Sequence, residues 1–353
     1  MPLIKIRYQG FRNLVDTELL FTDDFNFIIG DNGAGKTNLL EAIYYVGLAS
    51  SFRAKEEKSL INRNCDYLRI DAEADGKNAA VYLDSSRKKL TLGGNDVQRL
   101  GDFIGWLGIT LLSIEDIWLI RGSPARRRTF LDWMIAKLSP RYCSTLTEYK
   151  KIIRQRNRAL HMANETGDRD VLDAFDEQMI QAGNDLYAMR EEYMPRIKKH
   201  TTKSGTALGL KKLEVSYASS CHDMQIDRKM LEKVRMKEIL RGHSLIGPHR
   251  DDLIFTLEGR RLQDFASEGE ERSTAIALRL AEAEILYTQT GTRPIMLLDE
   301  VTAELDHERR DAVLELLSGQ IFYASTQLPQ FIDSLPGGYQ VLRAKRGAFE
   351  ISG

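Results

Sequence analysis

The chain has 353 residues and a formal net charge of −1, with 42% hydrophobic and 29% charged residues. This composition is typical of a globular protein with a full core, and it excludes a chain that is basic throughout, so any nucleic-acid surface must be local. The three cysteines form no CxxC pair, which argues against a zinc site or a disulfide framework and for a reducing compartment. Because no apolar run approaches the roughly 20 residues of a membrane span and no signal peptide opens the chain, we expect a cytoplasmic protein with no membrane partner.

The first 113 residues carry patterns that are typical of strands. An apolar run at 25–29 predicts a buried strand, and the alternating segments between 68 and 92 predict an antiparallel sheet beside it. Taken in order, the predicted strands are 4–11, 17–21, 25–29, 68–75, 79–84, 89–92 and 109–113.

A glycine-rich loop follows the buried strand and precedes a helical pattern that begins at Asn38. It fits G-x-x-x-x-G-K-[ST], and its residues are Gly30, Asp31, Asn32, Gly33, Ala34, Gly35, Lys36 and Thr37. Backbone N–H groups of such a loop can surround a phosphate chain, Lys36 can contact the β and γ phosphates, and the Thr37 hydroxyl can bind Mg²⁺. The strand–loop–helix context therefore predicts an ATP and Mg²⁺ site, with a chance glycine turn as the alternative.

Helical patterns dominate from Pro124 to about residue 200. Apolar residues recur mostly three or four apart from Tyr142 to Leu160, and again from Leu172 to Tyr193 in strict alternation of three and four. The polar segment 164–168 between them predicts a helical hairpin, with two unrelated surface helices as the alternative. A polar linker is predicted at 203–209, followed by a strand at 213–219 and a helix at 230–241.

The stretch from 121 to 158 concentrates basic residues in an otherwise neutral chain. Lys150, Arg154 and Arg158 lie four apart and therefore share one face of the predicted helix. This pattern fits two interpretations: the residues contact the DNA backbone, or they form a face that is only solvated. The candidate DNA-binding residues are Arg126, Arg127, Arg128, Lys150, Lys151, Arg154 and Arg158.

The α/β pattern returns after residue 245, with strands at 253–257, 295–298, 321–324, 339–342 and 349–351 and helices over 272–287 and around 313–317. The strand at 295–298 ends in Asp299 and Glu300. In a phosphate-loop protein, Asp299 can hold Mg²⁺ and Glu300 can polarise the attacking water, so Glu300 and Lys36 are the candidate catalytic residues. Asp306, shortly after them, is a further candidate nucleotide-binding residue; an Asp-Glu helix cap is the alternative for the pair.

The segment 265–270 precedes the long predicted helix and contains Ser267 and Gly269. A serine and a glycine at a helix start describe an anion site, although a serine that only caps the helix fits equally well. The order of loop, serine-glycine segment and acidic strand is that of ABC-superfamily ATPases, in which this segment of one subunit closes on the nucleotide of the other.

Three blocks together resemble the RecF DNA replication and repair family: 32–43, 122–132 and Ile246-Gly-Pro-His-Arg-Asp-Asp252. The resemblance covers essentially the whole chain. It implies an α/β fold, with an ABC-type P-loop ATPase lobe split over 1–110 and 242–353. Residues 111–241 form the inserted helical domain, the arm, which contains a short antiparallel helical hairpin. The chain departs from the family pattern at Glu270 and Glu271, where glutamines are usual.

The resemblance also implies a function. ATP binding is expected to produce a homodimer that binds duplex DNA near single-strand junctions, with weak DNA-stimulated hydrolysis. RecO and RecR are the implied protein partners, and loading of RecA on gapped DNA is the implied role. The segment 324–327 lacks the histidine of ABC transporters, which fits slow hydrolysis. The alternative is a P-loop enzyme acting on a small molecule, and the short arm disfavours an SMC-type tether.

Overall fold

The structure, a computed structural model, describes residues 2–167, 170–301, 305–335 and 337–352 (for 170, 333 and 334 the backbone alone). Its contacts divide the chain into two compact units. Unit 1 comprises Met1–Asp116, Ala207–Gly209 and Ile276–Gly353, and unit 2 comprises Ile117–Thr206 and Leu210–Ala275. None of the helices in the described ranges has the length and apolar character that a membrane crossing requires.

The strands are β1 (Leu3–Gln9), β2 (Thr17–Leu20), β3 (Phe25–Ile29), β4 (Tyr67–Ala74), β5 (Lys77–Asp84), β6 (Lys88–Leu92), β7 (Asn95–Val97), β8 (Ile109–Ser113), β9 (Leu213–Ala218), β10 (Asp252–Leu257), β11 (Arg260–Arg261), β12 (Ile295–Asp299), β13 (Ile321–Ser325), β14 (Tyr339–Lys345) and β15 (Ala348–Ser352). The helices are α1 (Lys36–Leu48), α2 (Leu100–Phe103), α3 (Trp118–Arg121), α4 (Pro124–Ala136), α5 (Pro140–Thr166), α6 (Asp170–Ala207), α7 (Arg228–Arg241), α8 (Glu268–Thr290) and α9 (His307–Leu316).

Unit 1 contains two six-stranded sheets. One has the order β15-β14-β3-β13-β12-β8 and is parallel except at β15, and the other is antiparallel with the order β2-β1-β4-β5-β6-β7. The predicted antiparallel strands thus form a sheet of their own, separate from the one that holds β3. Helix α1 contacts both sheets, and nearly all its residues are buried, so the first turn of α1 is held firmly at the end of β3.

Parallel pairing decides where the strand ends meet. Ile29 of β3 lies opposite Ser325 of β13, and Asp299 of β12 lies opposite Ala324 of β13. The glycine-rich loop and the acidic pair therefore leave the same edge of one sheet, which is where ligands of open α/β sheets bind.

Unit 2 is built around the α5–α6 hairpin. Arg156, late in α5, bonds Asp176, early in α6, whereas Tyr142, early in α5, bonds Arg190, further along α6, so the two helices are antiparallel. The predicted apolar positions of both helices are buried or half-buried. This confirms the helical hairpin that the spacing predicted.

The block 247–252, for which the sequence suggested no physical role, forms a polar centre within unit 2. The Asp251 carboxylate accepts hydrogen bonds from the Ser220 N–H and hydroxyl, both 2.7 Å, and from the Tyr217 hydroxyl. The Pro248 carbonyl accepts from Arg190 at 2.9 Å, and His249 Nδ1 lies 2.8 Å from the Tyr149 hydroxyl. These bonds join α5, α6 and the chain that follows β9.

Two differences from the sequence-based elements concern the end of α6 and the segment that follows α7. The predicted linker 203–209 is mostly the last turns of α6, which continues through Pro195 to Ala207. Residues 242–275, predicted to belong to the ATPase domain, cluster with unit 2 because β10 pairs with β9. The domain boundaries themselves remain a prediction.

Candidate nucleotide site

The glycine-rich loop ends on the first turn of α1, and its backbone geometry requires glycine. Gly35, the residue that caps the helix, has φ 111°, and no side chain caps this N-terminus. The first N–H groups of a helix lack intrahelical partners. With the helix dipole they form a site for an anion.

Lys36 is 4% exposed and turns back over the loop. Its Nζ donates to the carbonyls of Gly30 at 2.8 Å and Asp31 at 3.2 Å. The same ammonium lies 3.5 Å from Glu300 Oε1. A positive charge is thereby fixed beside the uncapped helix end.

The hydroxyl of Thr37 donates to Asp299 Oδ1 at 3.0 Å. Burial raises the pKa of Asp299 above its usual value, the Thr37 hydrogen bond opposes this, and the neighbouring Glu300 charge raises it further. A hydroxyl and a carboxylate at this distance are the oxygen donors that Mg²⁺ prefers, and a cation between them would offset the cost of burying the Asp299 charge.

Glu300 leaves the strand in a strained conformation. Its φ is 57°, in the left-handed region that non-glycine residues rarely adopt, and its N–H donates to the Ala324 carbonyl at 3.2 Å. Such strain persists where the surroundings enforce it, often at functional sites. The carboxylate is partly exposed beside Lys36, where it can reach a water molecule.

The donor set therefore fits a nucleoside triphosphate with Mg²⁺. Uncapped N–H groups and Lys36 suit phosphate oxygens, while Thr37 and Asp299 suit the metal.

Three supporting residues were not found from the sequence. Asn38 Nδ2 donates to Asn13 Oδ1 at 2.6 Å, and Arg53 Nη1 donates to Asn38 Oδ1 at 3.2 Å. Arg53 is exposed and acts electrostatically on Asp299, lowering its pKa. No sequence pattern placed Arg53 near the carboxylates, because that proximity depends on how the chain turns after the helix.

The serine-glycine segment lies in unit 2, and Ser267 caps α8. Glu270 Oε2 accepts from the Ser267 N–H and from its hydroxyl, both at 2.8 Å, while the Glu270 N–H donates to Ser267 Oγ at 3.3 Å. This reciprocal pair is a capping box. Helix α8 consequently begins at Glu268, a turn before the predicted start, and Gly269 lies in its first turn.

The other acids of this turn are held by arginines. Glu271 is buried and pairs with Arg121 at 2.6 Å, and Glu268 pairs with Arg272 at 2.6 Å. Among the described contacts, only the Glu270 carboxylate of these three bonds to Ser267. It accepts hydrogen bonds from the Ser267 N–H and hydroxyl, the groups of this segment that could bind an anion.

Asp306, the remaining nucleotide-binding candidate, is the N-cap of α9. Its Oδ1 accepts from the Arg309 N–H at 2.8 Å, and its side chain is exposed. The cap explains the residue type without a nucleotide, and a nucleotide role remains a prediction.

The structure separates the DNA-binding candidates by exposure. Arg127 is 3% exposed and pairs with Asp252 at 2.6 Å, so it is a wrong prediction for a surface contact. Arg128 donates to the Asp251 carbonyl at 2.7 Å, which engages part of its guanidinium within unit 2. The remaining candidates are exposed: Arg126, Lys150, Lys151, Arg154 and Arg158.

Lys150, Arg154 and Arg158 lie along one exposed side of α5, and we call them the α5 stripe. Lys150 lies 3.7 Å from Asp132 Oδ2 but remains 61% exposed. Together with the exposed Arg126 and Lys151, the stripe can meet an external phosphate.

Comparison with known proteins agrees with this geometry. A family model described as the RecF/RecN/SMC N terminal domain matches residues 2–98. The DNA replication and repair protein RecF of Bacillus cytotoxicus is 34% identical over 91% of this chain and 90% of its own length, and that of Oceanobacillus iheyensis is 34% identical over 91% and 92%.

Solved structures give the same result. A structure of the recombination mediator protein RecF with ATP, in the RecFOR pathway, has a TM-score of 0.91 at 28% identity and covers 100% of this chain and 98% of its own. The Smc head domain of Pyrococcus furiosus, bound to the C-terminal domain of ScpA, has a TM-score of 0.55 at 17% identity over 99% of this chain and 96% of its own, which shows a shared fold. The ABC-type ATPase fold predicted from the sequence is confirmed, and the chain belongs to the RecF family of DNA replication and repair proteins.

Proposed function

We propose that this chain is an ATP-dependent DNA-binding protein of recombinational repair and replication restart, with slow ATP hydrolysis. The observation that carries the proposal is the meeting of Lys36, Thr37, Asp299 and Glu300 at one sheet edge, with Thr37 Oγ1 3.0 Å from Asp299 Oδ1 and Lys36 Nζ 3.5 Å from Glu300 Oε1. The similarity to an ATP-bound RecF structure supports it.

In this proposal the loop residues 30–37 wrap the phosphates, and the Lys36 ammonium neutralises the β and γ oxygens. Thr37 and Asp299 are the residues that would hold Mg²⁺, which would offset phosphate charge. Glu300 orients a water molecule towards the γ-phosphate as a general base. Its salt bridge to Lys36 must loosen for that role, since the charges now satisfy each other.

We propose further that two subunits sandwich two ATP molecules, each held by the loop of one subunit and by Ser267 and Gly269 of the other. Closing would bring the basic arms to duplex DNA, and hydrolysis would release it. RecO and RecR are the proposed protein partners, since a solved relative is placed in the RecFOR pathway. Loading of RecA on gapped DNA is the proposed outcome.

The alternative, a P-loop enzyme with a small-molecule substrate, predicts no effect of DNA on hydrolysis. The test is the ATPase rate with and without gapped duplex DNA, for the wild type and for Lys36→Ala. We expect stimulation in the wild type and loss of ATP binding in the variant. A rate that ignores DNA would favour the alternative, and normal ATP affinity of Lys36→Ala would overturn the site.

A further inference from the structure

The outward side of α7 carries a ridge of cations, which we call the α7 ridge. Its members are Lys229, Lys233, Lys237 and Arg241, and each is exposed. Side chains four residues apart are neighbours on a helix surface, about 6 Å apart along the axis. The ridge is therefore one continuous line of positive charge.

The same helix contains arginines of a different kind. Arg228 pairs with Glu177 at 2.7 Å, and Arg235 pairs with Asp173 and Asp176, both at 2.6 Å. These two face α6 and are neutralised by its acids. Within the part of the chain that the structure describes, no carboxylate forms an ion pair with a cation of the α7 ridge.

An uncompensated ridge has a cost for the helix. Like charges four residues apart repel each other and destabilise an isolated helix. Of the glutamates of α7, Glu232 is exposed three residues from Lys229 but forms no ion pair with it among the described contacts, and Glu238 is buried 2.7 Å from the Arg156 guanidinium. An anionic partner outside the chain would relieve this repulsion.

The ridge continues the α5 stripe. A Cβ at Gly242, which ends α7, would lie 2.2 Å from the His161 ring, so the end of α7 contacts α5 one turn beyond Arg158. Asn157 of α5 also accepts from the Ser244 N–H at 2.8 Å. Arg241 thus precedes the segment that contacts α5 beside Arg158, so the ridge and the stripe end close to each other within unit 2.

We propose that the α7 ridge is a second phosphate-binding surface of the arm, which holds the backbone of the duplex whose other contacts are made by the α5 stripe. This inference rests on the proposed DNA binding. The contacts would be independent of base sequence, because lysines and an arginine on an open helix face meet phosphates and displace their counterions. Met236 and Leu240 are exposed on the same face and would offer apolar contacts to an acidic protein partner. The test separates a DNA partner from a protein partner.

The experiment measures binding of a labelled gapped duplex, with ATP present, by fluorescence anisotropy over a series of salt concentrations. The ridge variant combines Lys229→Ala, Lys233→Ala, Lys237→Ala and Arg241→Ala, and alanine preserves the helix. The control variant removes the same charge from exposed lysines near the far end of α6 and after it: Lys198→Ala, Lys199→Ala, Lys203→Ala and Lys211→Ala. A third variant replaces the α5 stripe by alanine.

We expect the ridge variant to bind more weakly, with little change in the control. Its log–log salt slope should fall by about 0.9 for each phosphate that the variant no longer neutralises. If the ridge variant keeps the wild-type affinity and salt slope while the α5 variant binds more weakly, this inference is overturned and the proposed DNA binding stands. The ridge would then suit a protein partner. Equal weakening in the control would also overturn it, since net charge would then be the cause. No DNA binding by the wild type would instead refute the proposed function.

Discussion

Glu270 is the residue whose contacts bear most directly on the proposed cycle of ATP-dependent dimerisation. Its carboxylate accepts from both donors of Ser267, the groups that are proposed to meet the γ-phosphate of the other subunit. A carboxylate beside a phosphate is repelled, so in the proposed dimer Glu270 would have to swing away. The contact between Glu270 and Ser267 would then oppose the proposed closure.

We predict that Glu270→Gln strengthens ATP-dependent dimerisation, because the amide can retain the capping box without the charge. The dimer dissociation constant from sedimentation with ATP measures this, with Asp264→Asn, an exposed acid just before Ser267, as the charge-matched control. Equal dissociation constants for the two variants would mean that Glu270 does not face the nucleotide.

His249 gives unit 2 a pH dependence. Burial lowers its pKa to about 3, and the nearby Arg250 charge acts in the same direction. The unfolded chain binds a proton on this ring below its ordinary pKa of 6.5, whereas the folded protein does not until about pH 3. The stability contributed by the neutral ring is therefore present above pH 6.5 and declines as the pH falls towards 3.

We predict that the wild-type unfolding free energy falls as the pH is lowered from 7 to 5. His249 should contribute up to about 1.4 kcal/mol of this fall for each pH unit below 6.5. His249→Gln should show a shallower decline, measured by urea unfolding at each pH. Parallel pH profiles for the two proteins would refute the assignment.

At the scale of elements, the α5–α6 hairpin depends on a buried charge cluster. Arg156 is fully buried and lies 2.7 Å from carboxylate oxygens of both Asp176 and Glu238. It also donates to the Ser244 hydroxyl at 2.8 Å. Removing the guanidinium would leave the buried Glu238 without a cation and Asp176 with Arg235 alone.

We predict that Arg156→Ala destabilises the protein by about 3–5 kcal/mol, the usual cost of breaking a buried ion pair. Arg154→Ala, two residues away on the exposed side of α5, should change stability by less than about 0.5 kcal/mol. Thermal and urea unfolding of both variants measure the difference. Similar destabilisation in the two would show that the cluster does not hold the hairpin.

The elements that the sequence predicted best are those with a strong local pattern. Strand β12 is an apolar run that is buried within the sheet, and the three-four spacing of α6 matches its buried positions. The end of α6 was placed too early because the polar segment 203–209 resembles a linker, whereas the helix continues to Ala207. Propensity is a weak guide there, since tertiary packing overrides it.

The basic stretch shows the same limit at the site. Spacing alone placed the α5 stripe on one exposed face. It could not show that Arg127 and Arg156 are neutralised by Asp252, Asp176 and Glu238, because these acids are distant in the sequence. The α7 ridge was missed because the cations of α7 look alike in the sequence. Only the fold shows that Arg228 and Arg235 are neutralised by acids of α6 while the ridge is not.

At the scale of the whole molecule, the proposal divides each nucleotide site between two chains. Lys36 lies in unit 1 and Ser267 in unit 2, and the proposal requires each to act with the other subunit's counterpart. Mixing Lys36→Ala with Ser267→Arg should restore part of the ATPase activity, because a heterodimer has one site made of intact segments. Activity no greater than the sum of the separate variants would argue against shared sites.

The central claim is that ATP closes two subunits through the serine-glycine segment, and the molecular mass in solution tests it most directly. Sedimentation should show a monomer with ADP and a dimer with ATP for the wild type. Ser267→Arg should remain a monomer with ATP, although its nucleotide affinity is normal because Lys36 and Thr37 are intact. A wild-type mass that is the same with both nucleotides, or an ATP-bound dimer of Ser267→Arg, would contradict the account.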